Sequence, residues 1–299
     1  TAGRNPAASP TLSVPPALPS CSRQRMPPET GPPGRGACRT EPAPFRLMRP
    51  VLLHQYWSNL LFLHWPLPAA VVQAALPAEL RVHAFGGKAW VGVVAFRMQG
   101  IRPPGCPPLP GLRNLDELNL RTYAVDAEGR TGVWFFSLDA SLGPAVWIAR
   151  HLFRIPYRRA AIQVNESAVE TDFHARPLLQ GQSAPWQRYR WTFDPAEPTR
   201  EAATGSLESF LLERYRLFAR LHPGEALRTG TLAHEPYRFR PAHLLEGSTD
   251  LFRLAGLPEP EGPPASVLAS PGFAVRIHGV RRLAAPRAST LEATRPVAG

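Results

Sequence analysis

Residues 115–123 read Leu-Asp-Glu-Leu-Asn-Leu-Arg-Thr-Tyr, and the alternation in this stretch decides the fold. On a strand, successive side chains point to opposite faces. Glu117, Asn119, Arg121 and Tyr123 therefore share one face, and Leu118, Leu120 and Thr122 share the other. Periodicity leaves two arrangements open. In one, the leucines face a core and the polar row faces water. In the other, the polar row lines a barrel interior, where Glu117 and Arg121 polarise each other and bind a polar ligand group. The neighbouring stretch 133–139, Val-Trp-Phe-Phe-Ser-Leu-Asp, is apolar on both faces, as expected of a strand buried on both sides. A polar row beside such a strand points to a pocket.

Outward from this stretch, Asp126-Ala-Glu-Gly129 is an acidic, Gly-ended turn predicted to join 115–125 to 131–139 as a hairpin. A second hairpin is predicted from 80–85, Gly86-Gly87 and 89–98. Further strands are expected at 157–164, 168–176 and 186–194, and near 229–239 and 272–283. Residues 68–76 read as a short helix with Pro at its start, closed by Pro77. Residues 145–153 have helical spacing and stop before Pro156. The longest predicted helix is 206–221, with Leu207, Phe210, Leu211, Tyr215 and Phe218 on or near one face. Antiparallel strands dominate, so the expected class is mainly β (α+β), a barrel or half-barrel with packed helices.

The 299 residues carry a formal net charge of +11, and among the basic residues only Lys88 is lysine. The arginines are spread along the chain rather than gathered into a stripe, so nucleic acid is not the expected partner. Arg, Ala, Pro and Gly in excess with almost no Lys fit the codon usage of a GC-rich bacterial genome. Cys21, Cys38 and Cys106 are too few for a disulfide framework or a four-ligand zinc site. Residues 1–48 hold eleven prolines and one aromatic, Phe45, and are expected to be a disordered extension. Met26 and Met48 are alternative starts, and 284–299 reads as a flexible tail. Pro15, Pro16 and Pro19 interrupt the only stretch a secretory signal could use, and no apolar run spans a membrane. The expected location is the cytoplasm. Serine-hydrolase, P-loop, dinucleotide and zinc-protease motifs are absent, and no cofactor or metal is expected.

The strings WSNLLFLHWPL (57–67), LPAELRVHAFGGKAWVGVVAFRMQGIRPPG (76–105) and DELNLRTYAVDAEGRTGVWFFSLDA (116–140) resemble the YqjF-like family of bacterial conserved proteins. ARHLFRIPYRRA (149–160), SFLLERYRLFA (209–219) and His-Glu-Pro-Tyr at 234–237 extend the likeness over roughly residues 50–283. That family is similar in fold to acetoacetate decarboxylase. The resemblance implies an antiparallel, cone-like barrel over 49–283 with a buried apolar pocket and flanking helices. In that enzyme a lysine forms a Schiff base with a β-keto acid, assisted by a glutamate on a barrel strand. The resemblance puts Glu117 at that glutamate, and Arg150 and Pro156-Tyr157-Arg158 over an arginine and a Pro-Lys-Lys segment. Tyr157 and Arg158 thus stand where lysines are needed, and an arginine cannot form a Schiff base. Lys88, after a Gly-Gly turn, reads as a solvated strand end. Decarboxylation through an amine is not expected.

The expected site is a pocket with Glu117 and Tyr157 as candidate catalytic groups and Asn119, Arg121 and Arg150 as candidate substrate-binding groups. Trp90, Trp134 and Phe136 are expected among its apolar lining. Arg grips a carboxylate or enolate in two-pronged fashion, and a buried Glu beside it serves as acid or base. An internal Glu–Arg ion pair with no ligand is the alternative for the same residues. Glu213-Arg214-Tyr215 reads as the ion-paired shoulder of the long helix, and His64 and His234 as packed or hydrogen-bonded residues. The function expected is binding of a small, partly apolar organic acid or carbonyl compound. A lyase or aldolase-dehydratase-like enzyme using Glu117 as acid/base is the second reading. An interaction scaffold, which needs a filled barrel and an exposed apolar patch, is the third. Assembly into a homo-oligomer suits the resemblance, though no residue pattern sets a symmetry.

Overall fold

A computed structural model describes residues 50–112, 114–179 and 182–283. The disordered extension expected at 1–48 and the tail at 284–299 lie outside these residues. The chain runs from β1 (Leu53–Leu67) through the short helix α1 (Ala69–Ala74) to β2 (Leu80–Val82), β3 (Ala89–Arg102), β4 (Asn114–Asp126) and β5 (Thr131–Ala140). Helix α2 (Gly143–His151) leads to β6 (Tyr157–Glu166), β7 (Glu170–Leu179), β8 (Gln182–Ser183) and β9 (Gln187–Thr192). Next come α3 (Leu207–Leu212), β10 (Arg216–Ala219), β11 (Arg228–Ala233) and β12 (Arg240–Pro241). The last elements among the described residues are β13 (His243–Ser248), α4 (Leu251–Leu254) and the long β14 (Ser266–Arg282).

Seven strands close on themselves in the order β5-β10-β11-β14-β1-β3-β4, with β4 pairing back onto β5. Closure leaves the barrel strands without a free edge. A second sheet, β6-β7-β9-β13, grows from the barrel where β6 runs parallel to β5, Tyr157 opposite Leu138. This sheet packs Phe173, Tyr189 and Trp191 onto the barrel's outer wall, against Leu61, Leu63, Val93, Leu118 and Leu120. Inside the barrel, Leu60, Phe62, Val94, Phe96, Met98 and Val275 form a separate core. Strands β1 and β3 are therefore apolar on both faces because both faces are covered. Each large side chain so buried stabilises the fold by about 1.5–3 kcal/mol.

The β4–β5 hairpin forms as predicted. Asp126 Oδ1 accepts from the backbone N–H of Glu128 and of Arg130, both at 3.0 Å, and Gly129 supplies a φ of +76°. The hairpin expected over 80–98 does not form. Strand β2 pairs with β4, and Gly86-Gly87 closes only an isolated Phe85–Lys88 bridge. Both edges of β3 are already occupied, by β1 and β4.

The long helix expected at 206–221 is also absent. Ser206 caps α3 by accepting from Ser209 N–H at 3.1 Å, but the helix ends at Leu212, with Glu213 at ψ 78°. Residues 216–219 become β10, which fills the gap between β5 and β11. Apolar spacing favoured a helix there, and completing the barrel's hydrogen bonds overrode it. The strand expected at 229–239 stops at Ala233, and the last strand begins at Ser266 rather than 272.

Candidate functional site

Strand β4 turns its two sets of side chains to two different interiors. Leu118 and Leu120 face the second sheet, while Glu117, Asn119 and Arg121 line a cavity of about 160 Å³ inside the barrel. All three are buried, at 2%, 2% and 7% exposure. Tyr157, the first residue of β6, reaches across β5 and donates its hydroxyl to Glu117 Oε2 at 2.6 Å. Asn119 Nδ2 donates to Glu117 Oε1 at 2.9 Å. Both carboxyl oxygens thus accept from neutral donors. Burial pushes Glu117 up to about 7, and the charge of Asp139 adds to this. Tyr157, Asn119 and the more distant Arg121 oppose the rise. The group is poised to hold or release a proton near neutrality. Burial, then the charge of Glu117, keeps the Tyr157 hydroxyl protonated well above its usual range.

Three arginines line the cavity. Arg216 Nη1 donates to Thr229 Oγ1 at 3.3 Å, and the other two are Arg121 and Arg214. Arg121 Nη2 donates to the carbonyl of Leu211 at 3.3 Å, and its Nε has no hydrogen-bond partner among the described residues. Its guanidinium carbon lies 5.6 Å from the Phe62 ring centre. Arg214 donates from Nε to the Phe210 carbonyl at 2.7 Å and lies over the rings of Phe210 and Tyr123 at 4.4 and 5.0 Å. Burial, with the charge of Arg121 adding, pushes Arg214 down to about 10. Among the described residues, neither the Arg121 nor the Arg214 guanidinium is in an ion pair with a carboxylate.

Arg214 departs from its expected place on a helix shoulder. Because α3 stops at Leu212, Arg214 sits on the turn before β10 and lines the cavity. Only the barrel's closure brings it there, so spacing along the sequence carried no signal of it.

His64 is hydrogen-bonded within the wall. Its Nε2 lies 2.9 Å from Tyr123 Oη, whose own proton goes to the Leu211 carbonyl at 2.8 Å. That network assigns the His64 proton to Nε2. Burial, then Arg121, holds its pKa well below the usual value, so the ring is neutral. His234 stacks on Tyr215 at 4.5 Å and meets Tyr237 edge-on at 4.7 Å.

Other expected residues lie elsewhere. Arg150 does not line the cavity; its Nη1 donates to the Tyr157 carbonyl at 3.1 Å and so holds the backbone that presents the Tyr157 hydroxyl. Arg158 is turned to the opposite side of β6, where it grips Asp139 with two hydrogen bonds of 2.8 Å. Lys88 is exposed. Trp134 and Phe136 face outward and Phe135 lines the cavity instead. The reason is a bulge: Leu120 pairs with Ser137 but Arg121 with Phe135, so the strand's parity flips at Phe136. Trp90 joins Tyr123, Phe210 and Leu211 in a separate apolar cluster. Among the described residues no three His, Cys, Asp or Glu side chains group as metal ligands, and no helix is long and apolar enough to cross a membrane.

Solved structures match the fold. Acetoacetate decarboxylase from Legionella pneumophila subsp. pneumophila str. Philadelphia 1 has a TM-score of 0.55 at 12% identity, over 82% of this chain and 93% of that one. The enduracididine biosynthesis enzyme MppR, complexed with the condensation product of pyruvate and imidazole 4-carboxaldehyde, has a TM-score of 0.51 at 15% identity. That match covers 86% of this chain and 98% of MppR. At such identities the likeness is one of fold. In sequence, the uncharacterized protein YqjF of Bacillus subtilis (strain 168) is 34% identical over 167 residues, 56% of this chain and 67% of that protein. The family model DUF2071, described as an uncharacterized conserved protein, matches residues 54–274, and the chain belongs to this family.

Proposed function

We propose that the barrel cavity binds a small organic acid or carbonyl compound, its carboxylate held by Arg121 and Arg214 and its carbonyl facing Glu117 and Tyr157. One observation carries the reading. Two neighbouring guanidiniums, the buried Arg121 and the partly buried Arg214, line a largely apolar cavity, and among the described residues no carboxylate forms an ion pair with either. A buried charge without a counter-charge costs several kcal/mol, and a bound anion relieves that cost. The guanidinium fork suits a carboxylate in particular. A pyruvate-derived ligand in MppR supports the reading as an analogy of fold. The chain's single lysine, Lys88, is exposed, so the cavity offers no amine for a Schiff base.

A thermal-shift screen of small carboxylates and aldehydes, repeated on Arg121→Ala, tests this. Carboxylates are expected to raise the melting temperature of the wild type and to leave the variant unmoved. Equal stabilisation of both proteins overturns the reading.

A second reading, an enzyme of the lyase or aldolase-dehydratase type, is favoured by Glu117 itself. A carboxyl titrating at about 7 beside a protonated phenol is suited to exchange a proton with a bound keto acid. Arg121 then stabilises the enolate that forms when Glu117 removes an α-proton. Glu117→Gln is expected to abolish turnover of such an acid while binding persists. If no product forms from any acid that binds the wild type, the protein is a binding protein.

A further inference from the structure

We infer that the acid taken by this cavity is a hydroxy acid with an apolar body about the size of a benzene ring. This rests on the carboxylate reading above and adds the rest of the molecule to it.

The strand register lays out the cavity as a sequence of chemistries. Arg121 stands opposite Gly92 on β3, Asn119 opposite Val94, Glu117 opposite Phe96, and Leu115 opposite Met98. Polar side chains occupy the first three levels of β4, and at Leu115 the row turns apolar. Beyond it the lining continues as Met98, Ile101, Leu112 and Trp57. Strand rise places the α-carbons of Arg121 and Leu115 about 20 Å apart. A ligand with its carboxylate on the arginines therefore has an apolar compartment on the far side of Glu117. A molecule as short as lactate leaves that compartment unfilled. The volume sets the upper limit: the whole cavity, polar levels included, measures about 160 Å³, and since an apolar cavity of roughly 150 Å³ accommodates benzene, the apolar body is no larger than one ring.

Asn119 supplies the third requirement. Its Nδ2 is committed to Glu117, and its Oδ1, buried at the level between the arginine and the glutamate, has no hydrogen-bond partner among the described residues. An amide oxygen accepts and cannot donate. It is matched by a hydroxyl on the ligand, placed between carboxylate and apolar body.

Four probes separate these requirements, with binding to the wild-type protein followed by calorimetry. They are 3-phenyllactate, lactate (no ring), 3-phenylpropanoate (no hydroxyl) and 3-phenyl-1,2-propanediol (no carboxylate). The expected order has 3-phenyllactate tightest, 3-phenylpropanoate about fivefold weaker for one neutral hydrogen bond lost, and lactate about thirtyfold weaker or more for the lost apolar contact. The diol is not expected to bind. Asn119→Ala is expected to bring 3-phenyllactate down to the level of 3-phenylpropanoate.

Lactate binding as tightly as 3-phenyllactate overturns the apolar body while leaving the carboxylate reading intact. Equal affinity of 3-phenyllactate and 3-phenylpropanoate for the wild type overturns the hydroxyl. Binding of the diol as tightly as the acids overturns the carboxylate reading itself, and no binding by any probe overturns both.

Discussion

Asp139 and Glu117 stand on adjacent strands, β5 and β4, and face opposite ways through the barrel wall. The protein treats their charges differently. Asp139, fully buried on the outer side, is met by the Arg158 guanidinium through two hydrogen bonds of 2.8 Å. Burial raises its pKa, and Arg158 opposes the rise. Glu117, on the inner side, receives only a phenol and an amide, while Arg121 and Arg214 line the same cavity without a carboxylate against them. Ion pairs that serve the fold are completed inside the fold. On the proposed reading, the cavity charges are reserved for a ligand that is not part of the chain.

The comparison breaks most readily at Asp139. Asp139→Ala is expected to cost about 4 kcal/mol of unfolding free energy, because it leaves Arg158 facing a buried site without its partner. Urea denaturation measures it, and a loss under about 1 kcal/mol removes the distinction between the two sides.

Glu117 predicts the next effect, with a sign opposite to that of an ordinary surface carboxylate. Its folded value is raised from 4.5 to about 7, so the folded state holds the proton more tightly than the unfolded chain. Its contribution is complete below 4.5 and is lost as pH rises through about 7. The wild type should lose about 3 kcal/mol more than Glu117→Gln between pH 4 and pH 8. Denaturation curves at the two pH values decide it, and parallel pH profiles for the two proteins refute it.

Tyr157→Phe sharpens the same side. Losing a donor to the carboxylate should push the Glu117 transition up by about one pH unit, read from the midpoint of the stability–pH curve. An unmoved midpoint means the 2.6 Å hydrogen bond does not favour the charged form.

The smallest change in stability is expected from Arg121→Met. Removing a buried, unpaired charge should leave the unliganded protein within about 1 kcal/mol of wild type, or more stable. The same substitution in a completed ion pair would destabilise. A large loss on chemical denaturation would show that Arg121 is a structural cation after all.

The β4 alternation, its acidic turn and the mainly antiparallel class were legible because they depend on neighbours in sequence. The polar row at Glu117, Asn119 and Arg121 was legible for the same reason, although periodicity alone could not say whether it faced water or a barrel interior. What failed depended on distant partners. A bulge at Phe136 reversed the parity that would have put Trp134 and Phe136 in the cavity. The demand for a seventh barrel strand ended α3 at Leu212 and delivered Arg214 to the site, although local spacing read as one helix. Arg150 was foreseen as a ligand group, but it braces the Tyr157 backbone instead.

The Leu211 carbonyl, which accepts from both Arg121 and Tyr123, has a consequence for how the site stays charged. Leu211 lies in the last turn of α3, where carbonyls lack intrahelical partners and carry the negative end of the helix dipole. A carboxylate in that place would fix the guanidinium and neutralise it. A fixed partial charge only orients it, so Arg121 is anchored with its attraction for an anion largely intact.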